Sequence, residues 1–374
     1  MSSLIVEVCA VEEIAQHPNA DRIERVRVKN WWCVATKGYY KVGDKAVYVP
    51  PDSIISEELG QRWGIAKYCS PLAKDISGER PPGLRVRASR FRGVSSFGTI
   101  QDPDDKTWPV GLDVCEHYGI TKYEPPVKDS DGDTAPPVAA FHAYTDIENL
   151  GNFPGIFQDG EEVVVTEKLH GTNSRVGWVY HPHLESGGFI WQRMAGSHGN
   201  RRKEFNDKGI RSMYWMPFAV SDADCPVMTL LLQVGEIEKA KSAIICFGEI
   251  FGAGVQDMQY GQKGKSFRIF DISVDGNYLD WKKLKGYVEA DSALQLVPIL
   301  YQGPFSMNKM NELVDGPTTV CKAEDIKEPF KGREGIVIKP VKERFDPILG
   351  GRTILKYVSV DYHERKNKNK TEDH

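Results

Sequence analysis

Residues 123–137, YEPPVKDSDGDTAPP, hold four prolines and four acidic residues and almost nothing that could fill a core. Proline fixes φ and withholds an amide donor, and like charges repel along the chain, so this stretch resists both helix and sheet. It divides the 374-residue chain into two parts that must each build a core of their own. The material for two cores is present, because 40% of the residues are hydrophobic and 27% charged, the balance of a globular protein. The expected division is a first domain over 1–122, a linker over 123–143, a second domain over 144–362 and a polar, aperiodic tail over 363–374.

Before the linker, short β-type runs (LIVEVCAVEEI, DRIERVRV, WWCVAT, KAVYVP, GTIQ) alternate with turn signals such as HPNAD and KVGDK, which predicts a small β-barrel. Between them, RPPGLRVRASRFRGVSSFG sets Arg85, Arg87, Arg90 and Arg92 around Phe91. Cations interleaved with an aromatic suit a surface that binds phosphates and stacks bases, and equally the wet side of an edge strand. After the linker, EEVVVTEKL, RVGWVY, AIICFGEIFG, FRIFDIS and GIVIKP read as strands and VMTLLLQVGEIEKA as a helix, so the second domain is mixed α+β.

Global charge decides little. The 48 basic and 52 acidic residues leave −4, so a polyanionic partner must be held by local patches. Seven scattered cysteines with no CxxC spacing argue against a disulfide framework and a zinc site, and point to a reducing compartment, the cytoplasm or another. No apolar run reaches eighteen residues, and the opening MSSLIVEVCAVEEIAQ carries acids where a signal peptide needs apolar residues, so no membrane association is expected.

The chemistry concentrates in five short runs of the second domain. TEKLHGTN places Lys168 at the end of an apolar strand, three residues before Gly171, where desolvation and neighbouring cations can lower an ammonium pKa. The other KxxG of the chain, Lys283 to Gly286 in WKKLKGY, has no flanking strand and serves as a control for the spacing. FGEIFGAGVQ puts Glu249 in an apolar strand, SFRIFDI brings Phe270 and Asp271, GREGIVIKP sets Glu334 at a strand start and Lys339 at its end, and RTILKYVS holds Lys356. Singly, each has a structural reading: a paired carboxylate, a core aromatic, a snorkelling lysine, a turn cap. Together, charges at buried strand positions suggest one shared site.

In this order the runs resemble motifs I, III, IIIa, IV and V of the covalent nucleotidyltransferases, the superfamily of nucleic-acid ligases and capping enzymes. EKLHGTN and FGEIFGAG…FDI resemble RNA ligases in particular. Too little sequence follows Lys356 for the carboxy-terminal OB domain of DNA ligases and capping enzymes, and HPNADRIE with KVGDKAVYVP resembles the amino-terminal OB module of the fifth RNA-ligase family.

The resemblance implies an ATP-dependent RNA ligase: an OB-like barrel followed by a nucleotidyltransferase domain of antiparallel sheets with flanking helices. Lys168 would take AMP from ATP, pass it to an RNA 5′-phosphate, and a 3′-hydroxyl would displace it, as in nick repair. Lys339 and Lys356 would neutralise phosphate oxygens, with Glu334 and Lys356 counted beside Lys168 as catalytic. Glu249 and Glu334 would hold a hydrated magnesium or manganese ion or the ribose. Phe270 would stack on adenine, Glu167 would lie at its edge, and Asn173 and Arg193 would touch ribose or phosphate. RNA, met by a monomer, is the expected partner, with Arg85, Arg87, Arg90 and Arg92 contacting it. Two departures stand out: His170 occupies a motif I position where many members have Asp, and Ile354 replaces a motif V lysine, for which Arg352 or Lys339 could compensate. The competing expectations are a non-catalytic RNA-binding protein and a DNA ligase or capping-type enzyme.

Overall fold

The apolar runs of the first 122 residues become strands because β-branched and aromatic side chains alternate there with polar ones, the period of a half-buried sheet. The computed structural model describes residues 3–74, 79–123, 132–183, 187–218 and 225–365. In its first part β1 (Glu7–Gln16), β2 (Ile23–Val28), β3 (Trp31–Thr36), β4 (Lys45–Val49), β5 (Ala88–Phe91), β6 (Val94–Phe97) and β7 (Thr99–Gln101) follow one another. Five of these form a sheet in the order β7–β4–β1–β2–β3, antiparallel throughout. The hairpin β5–β6 lies against β3, where the Val34 N–H donates to Ser96 Oγ at 2.9 Å, and the sheet curls into the nearly closed barrel expected. Val8, Val47, Val49, Ile55 and Leu59 fill one end, and Trp31 stacks on Phe97 with centroids 4.1 Å apart.

The second part is built on two antiparallel sheets. One contains β8 (Glu162–Lys168), β13 (Ile299–Pro304), β14 (Gly335–Pro340) and β15 (Leu355–Val358) in the order β15–β14–β8–β13. The other contains β9 (Thr172–His183), β10 (Gly188–Ser197), β11 (Ala243–Gly252) and β12 (Lys265–Val274) in the order β10–β9–β11–β12. The helix expected after the linker is α1 (Pro226–Ile237), started by a proline whose missing N–H is no loss there, with Val227, Leu230, Leu231 and Val234 on its buried stripe. These pack with Val164, Val176, Ile244, Cys246 and Trp281 into one core. A second cluster, Phe141, Tyr144, Val179, Met194, Ile245, Phe247 and Ile354, occupies the opposite face of β9 and β11. The architecture is thus the expected α+β.

The chain path is less simple than a cut at the proline-rich segment. The first compact unit holds, of the described residues, 3–123, 148–155 and 359–365; the second holds 132–147 and 156–358. Of the stretch read as a linker, 124–131 lie outside the described residues. Residues 132–143 pack into the second unit, where Phe141 is buried and its carbonyl accepts from Arg175 at 3.0 Å. Residues 148–155 join the barrel through Asn152, whose side chain accepts from Trp31 Nε1 at 3.3 Å. Residues 359–365 carry helix α2 (Val360–Glu364), capped by Ser359 and tied to Arg90 through Glu364; of the expected tail, 366–374 lie outside the described residues. No helix among the described residues is long and apolar enough to cross a membrane, and all seven cysteines are free thiols.

Candidate active site

β8 is an interior strand of its sheet, paired with β13 on one side and β14 on the other, so Val163 to Glu167 are buried and only its ends reach the surface. That last residue is Lys168, opposite Gly335. The pairing brings Glu334 alongside, and its Oε1 accepts from Lys168 Nζ at 2.6 Å. Gly335 cannot carry a side chain, because a Cβ there would lie 2.2 Å from the Tyr357 carbonyl oxygen of the next strand. Gly171 is likewise required, since its Cβ would lie 2.2 Å from Ile250 O. These two glycines allow the Lys168 turn and the Glu334 strand start to approach their neighbours this closely.

Register assigns the remaining groups to faces. Residues paired across strands share a face and neighbours along a strand alternate. Val164 pairs with Lys339, Thr166 with Val337, Val337 with Lys356, and Lys168 with Gly335. Lys168, Lys339 and Lys356 therefore share one face of their sheet. In the other sheet Asn173 pairs with Glu249. The field of Glu249 acts on Lys168, so both sheets contribute to one site.

The electrostatics of that site are unbalanced. Burial pulls the Lys168 ammonium down, but the carboxylates of Glu334 and Glu249 outweigh it and hold the pKa above the ordinary lysine value. Burial lifts the Glu249 carboxyl to about 8, with Lys168 opposing and Glu334 reinforcing the shift. Glu334 Oε2 and Asn173 Oδ1 are both buried with no hydrogen-bond partner. Two orphan acceptors and a carboxyl lifted by burial form a cradle for an incoming cation or hydrogen-bond donors. Among the described residues no three His, Cys, Asp or Glu side chains gather closely enough to hold a bare metal ion. The donor set fits a cation that keeps its waters and is held by Glu249 and Glu334 through them.

His170 lies 3.9 Å through Nδ1 from Glu334 Oε2, and its Nε2 is 2.6 Å from Asp257 Oδ1. Its backbone N–H donates to the Tyr260 hydroxyl at 2.6 Å. Asp257 and Tyr260 were not singled out from the sequence; both sit in the loop after β11, close in space to residue 170 and 87 and 90 positions away in the chain.

Phe270 is set by a β-bulge. Phe247 pairs with Asp271 and Gly248 with Ile269, leaving Phe270 as the extra residue on β12. Bulges re-aim side chains, and here Phe270 joins Tyr144, Phe247 and Val337 in the second cluster, its ring 4.8 Å from that of Tyr144. An apolar wall thereby stands beside the lysine-bearing face.

Three expected residues are placed otherwise. Glu167 lies on the opposite face from Lys168 by strict alternation, and its carboxylate is taken up by the Thr318 hydroxyl and by the amide and hydroxyl of Thr319, both 2.7 Å away. It anchors that turn rather than facing the site. Arg193 pairs with Trp178, on the face of β9 opposite to Asn173, with its guanidinium 5.6 Å from the Phe218 ring. The arginines on the Asn173 face are Arg175, whose guanidinium donates to the Phe141 carbonyl, Arg268, paired with Glu249, and Arg201, reached from Arg175 through Gly196; burial lowers the pKa of all three. Lys339 shares the site's face but is held by Asp271 at 2.5 Å and by the Phe270 carbonyl at 3.1 Å. Arg352 also binds Asp271, at 2.9 Å, together with Glu343 and the Tyr144 hydroxyl, and lies 3.9 Å over the Tyr278 ring. Neither stands open to replace the motif V lysine.

The arginine stretch of the barrel is similarly committed. Arg85 is bound by Asp52 through Nε and Nη2 at 2.8 and 2.6 Å, and Arg90 by Glu364 and Asp361. Arg92 is exposed at a positive φ in the β5–β6 turn, and Arg87 lines a cleft.

Comparison with known proteins is consistent with this geometry. A family model described as RNA ligase matches residues 161–358, and one described as an OB-fold domain matches residues 5–103. No curated protein matches the chain. Among solved structures, an RNA ligase variant from Naegleria gruberi with ATP and manganese superimposes at a TM-score of 0.71 and 25% identity, covering 97% of this chain and 99% of that one. A form of that ligase with AMP and manganese gives a TM-score of 0.71 and 25% identity over 98% and 100%. The form with pyrophosphate gives 0.68 and 25% over 98% and 100%.

Proposed function

The chain belongs to the RNA ligase family, and on that premise we propose that it joins an RNA 3′-hydroxyl to an RNA 5′-phosphate at nicks, with Lys168 as the nucleophile. It is an ATP-dependent nucleotidyltransferase, and a divalent metal serves it. The observation that carries the residue assignment is Lys168 Nζ resting on Glu334, with Glu249, paired to Asn173 in the other sheet, acting on the same ammonium.

In the first step Lys168 Nζ forms a bond to the α-phosphorus of ATP while the bond to pyrophosphate breaks, and the ammonium proton must leave beforehand. At rest that proton is held, because two carboxylates keep the lysine charged. Magnesium or manganese, held through water by Glu249 and Glu334, would supply positive charge that favours the neutral amine and screens the phosphate oxygens. Lys356, on the same sheet face as Lys168, neutralises a phosphate oxygen. Phe270 and Val337 provide apolar surface for the base, and the Asn173 amide a ribose contact. His170, oriented through Asp257, takes the motif I position otherwise held by Asp. AMP then passes from Lys168 to the RNA 5′-phosphate and leaves when the 3′-hydroxyl attacks, each step an in-line displacement governed by positioning and charge.

The test is incubation with α-labelled ATP and manganese or magnesium, read on a denaturing gel, for wild type and Lys168→Ala. A covalent label confined to the wild type is expected. Absence of label from wild-type protein stripped of bound AMP would leave a non-catalytic RNA-binding protein.

A further inference from the structure

A cleft with a volume of about 620 Å³ lies in the barrel unit, away from Lys168, within the size range that holds a nucleotide-sized ligand. It opens at the barrel seam between β3 (Val34 to Thr36) and β7 (Thr99 to Gln101), and the turn at Ala66–Tyr68 closes its third side. Its wall combines flat aromatic rings with cations. Tyr39 is 57% exposed, packs edge-on against Tyr40 at 5.0 Å, and is fixed by its hydroxyl donating to Asp102 at 2.6 Å. A solvent-facing ring held in one orientation is unusual for a surface tyrosine and is what a base-stacking platform needs. Arg62 is neutralised by Asp104, 3.2 Å away; the other cations of the wall are Lys67, over the Tyr68 ring at 4.7 Å, and Arg87. Gln101 and Asp102 at the rim present hydrogen-bonding groups to a base edge.

We propose that this cleft holds one unpaired nucleotide from a single-stranded segment of the RNA substrate outside the nicked duplex, its base stacked on Tyr39 and its phosphate against Lys67 and Arg87. The proposal rests on the reading of the protein as an RNA ligase. It also relocates the barrel's contribution: Arg85 and Arg90, which looked like phosphate contacts in the sequence, are bound by Asp52 and Glu364, and Arg87 lines a cleft that also holds aromatic rings. A ring and a cation at one site favour nucleic acid over an acidic peptide, and the stacking ring favours an unpaired base over a duplex, whose bases are already stacked.

The experiment is fluorescence anisotropy of the full chain with a 5′-phosphorylated single-stranded oligoribonucleotide and with a blunt RNA duplex of equal length, over a salt series. For Tyr39→Ala, about a tenfold loss of single-strand affinity is expected, with less than a twofold change on the duplex; Tyr39→Phe keeps wild-type affinity because the ring remains. Arg87→Ala should lower the slope of log affinity against log salt by about one. Unchanged single-strand affinity in Tyr39→Ala, or equal losses on both RNAs, overturns the proposal, as does displacement of the oligoribonucleotide from the cleft by ATP alone. Covalent labelling by α-labelled ATP is measured on the same samples. A wild type that binds single strands through Tyr39 yet never labels refutes the ligase reading and leaves the cleft standing, whereas labelling with no Tyr39 effect does the reverse.

Discussion

Lys168 and Lys339 lie on the same face of one sheet, each paired with a carboxylate, and the two pairs are opposites. Lys168 and Glu334 meet at 2.6 Å with side chains 27% and 11% exposed, and one Glu334 oxygen has no partner. Lys339 and Asp271 meet at 2.5 Å with side chains 5% and 1% exposed, and Arg352 and Tyr144 complete the Asp271 shell. The first pair is near the surface and unfinished, so a ligand can enter and change it. The second is saturated, and any partner removed leaves a charge stranded in a dry interior. Reactivity here follows from which pair has unmet hydrogen-bonding capacity, not from residue type.

The sharpest way to break this contrast is Lys168→Ala, which should abolish covalent AMP labelling while leaving the denaturation midpoint near wild type. A large fall in stability instead would make the first pair structural as well. The reverse outcome is expected for Asp271→Ala: two buried cations lose their partner, and urea unfolding should show a loss of about 3–5 kcal/mol. Wild-type stability in that variant would remove the distinction between the pairs.

A smaller effect is expected at Glu249. Its folded-state pKa of about 8 exceeds the ordinary carboxyl value of 4.5. Between those values the folded protein holds a proton that the unfolded chain has released, so this group makes stability fall as pH rises from about 4.5 to 8. Glu249→Gln should flatten that slope in thermal melts across the window, and an unaltered slope would show the carboxyl to be ionised at neutral pH. The smallest effect is expected at Arg193, on the far face of β9. Arg193→Ala should change the labelling rate less than twofold, and Arg201→Ala more. The opposite ranking would mean that the sheet face does not decide which arginine serves the site.

Much of this was legible in the chain. Apolar runs predicted most of the long strands, though not Gly188–Ser197, and the helix at Pro226–Ile237 was marked by the run VMTLLLQVGEIEKA. Lys168, Glu249, Glu334 and Lys356 were selected because charged groups in apolar strands need a reason to be there, and Asn173 by resemblance; the structure sets Lys168 against Glu334, Asn173 opposite Glu249, and Lys356 on the Lys168 face. Glu167 and Arg193 illustrate the limit. Each sits within a motif, but one residue along a strand reverses the face, and the partner that fixes Glu167 is 151 positions away at Thr318. Phe141 was hidden in a stretch whose prolines read as a linker. Asp257 carried no signal at all until the loop after β11 brought it to His170.

The residues by themselves determined what each strand could be and which charges were too costly to bury idly, because propensity, periodicity and desolvation are local properties. Only the tertiary structure decided which of those charges remain open to a ligand. That depends on strand register, on a bulge at Phe270 and on partners distant in sequence, and a hydrogen bond is satisfied or left unmet by what stands within about 3 Å of it in space.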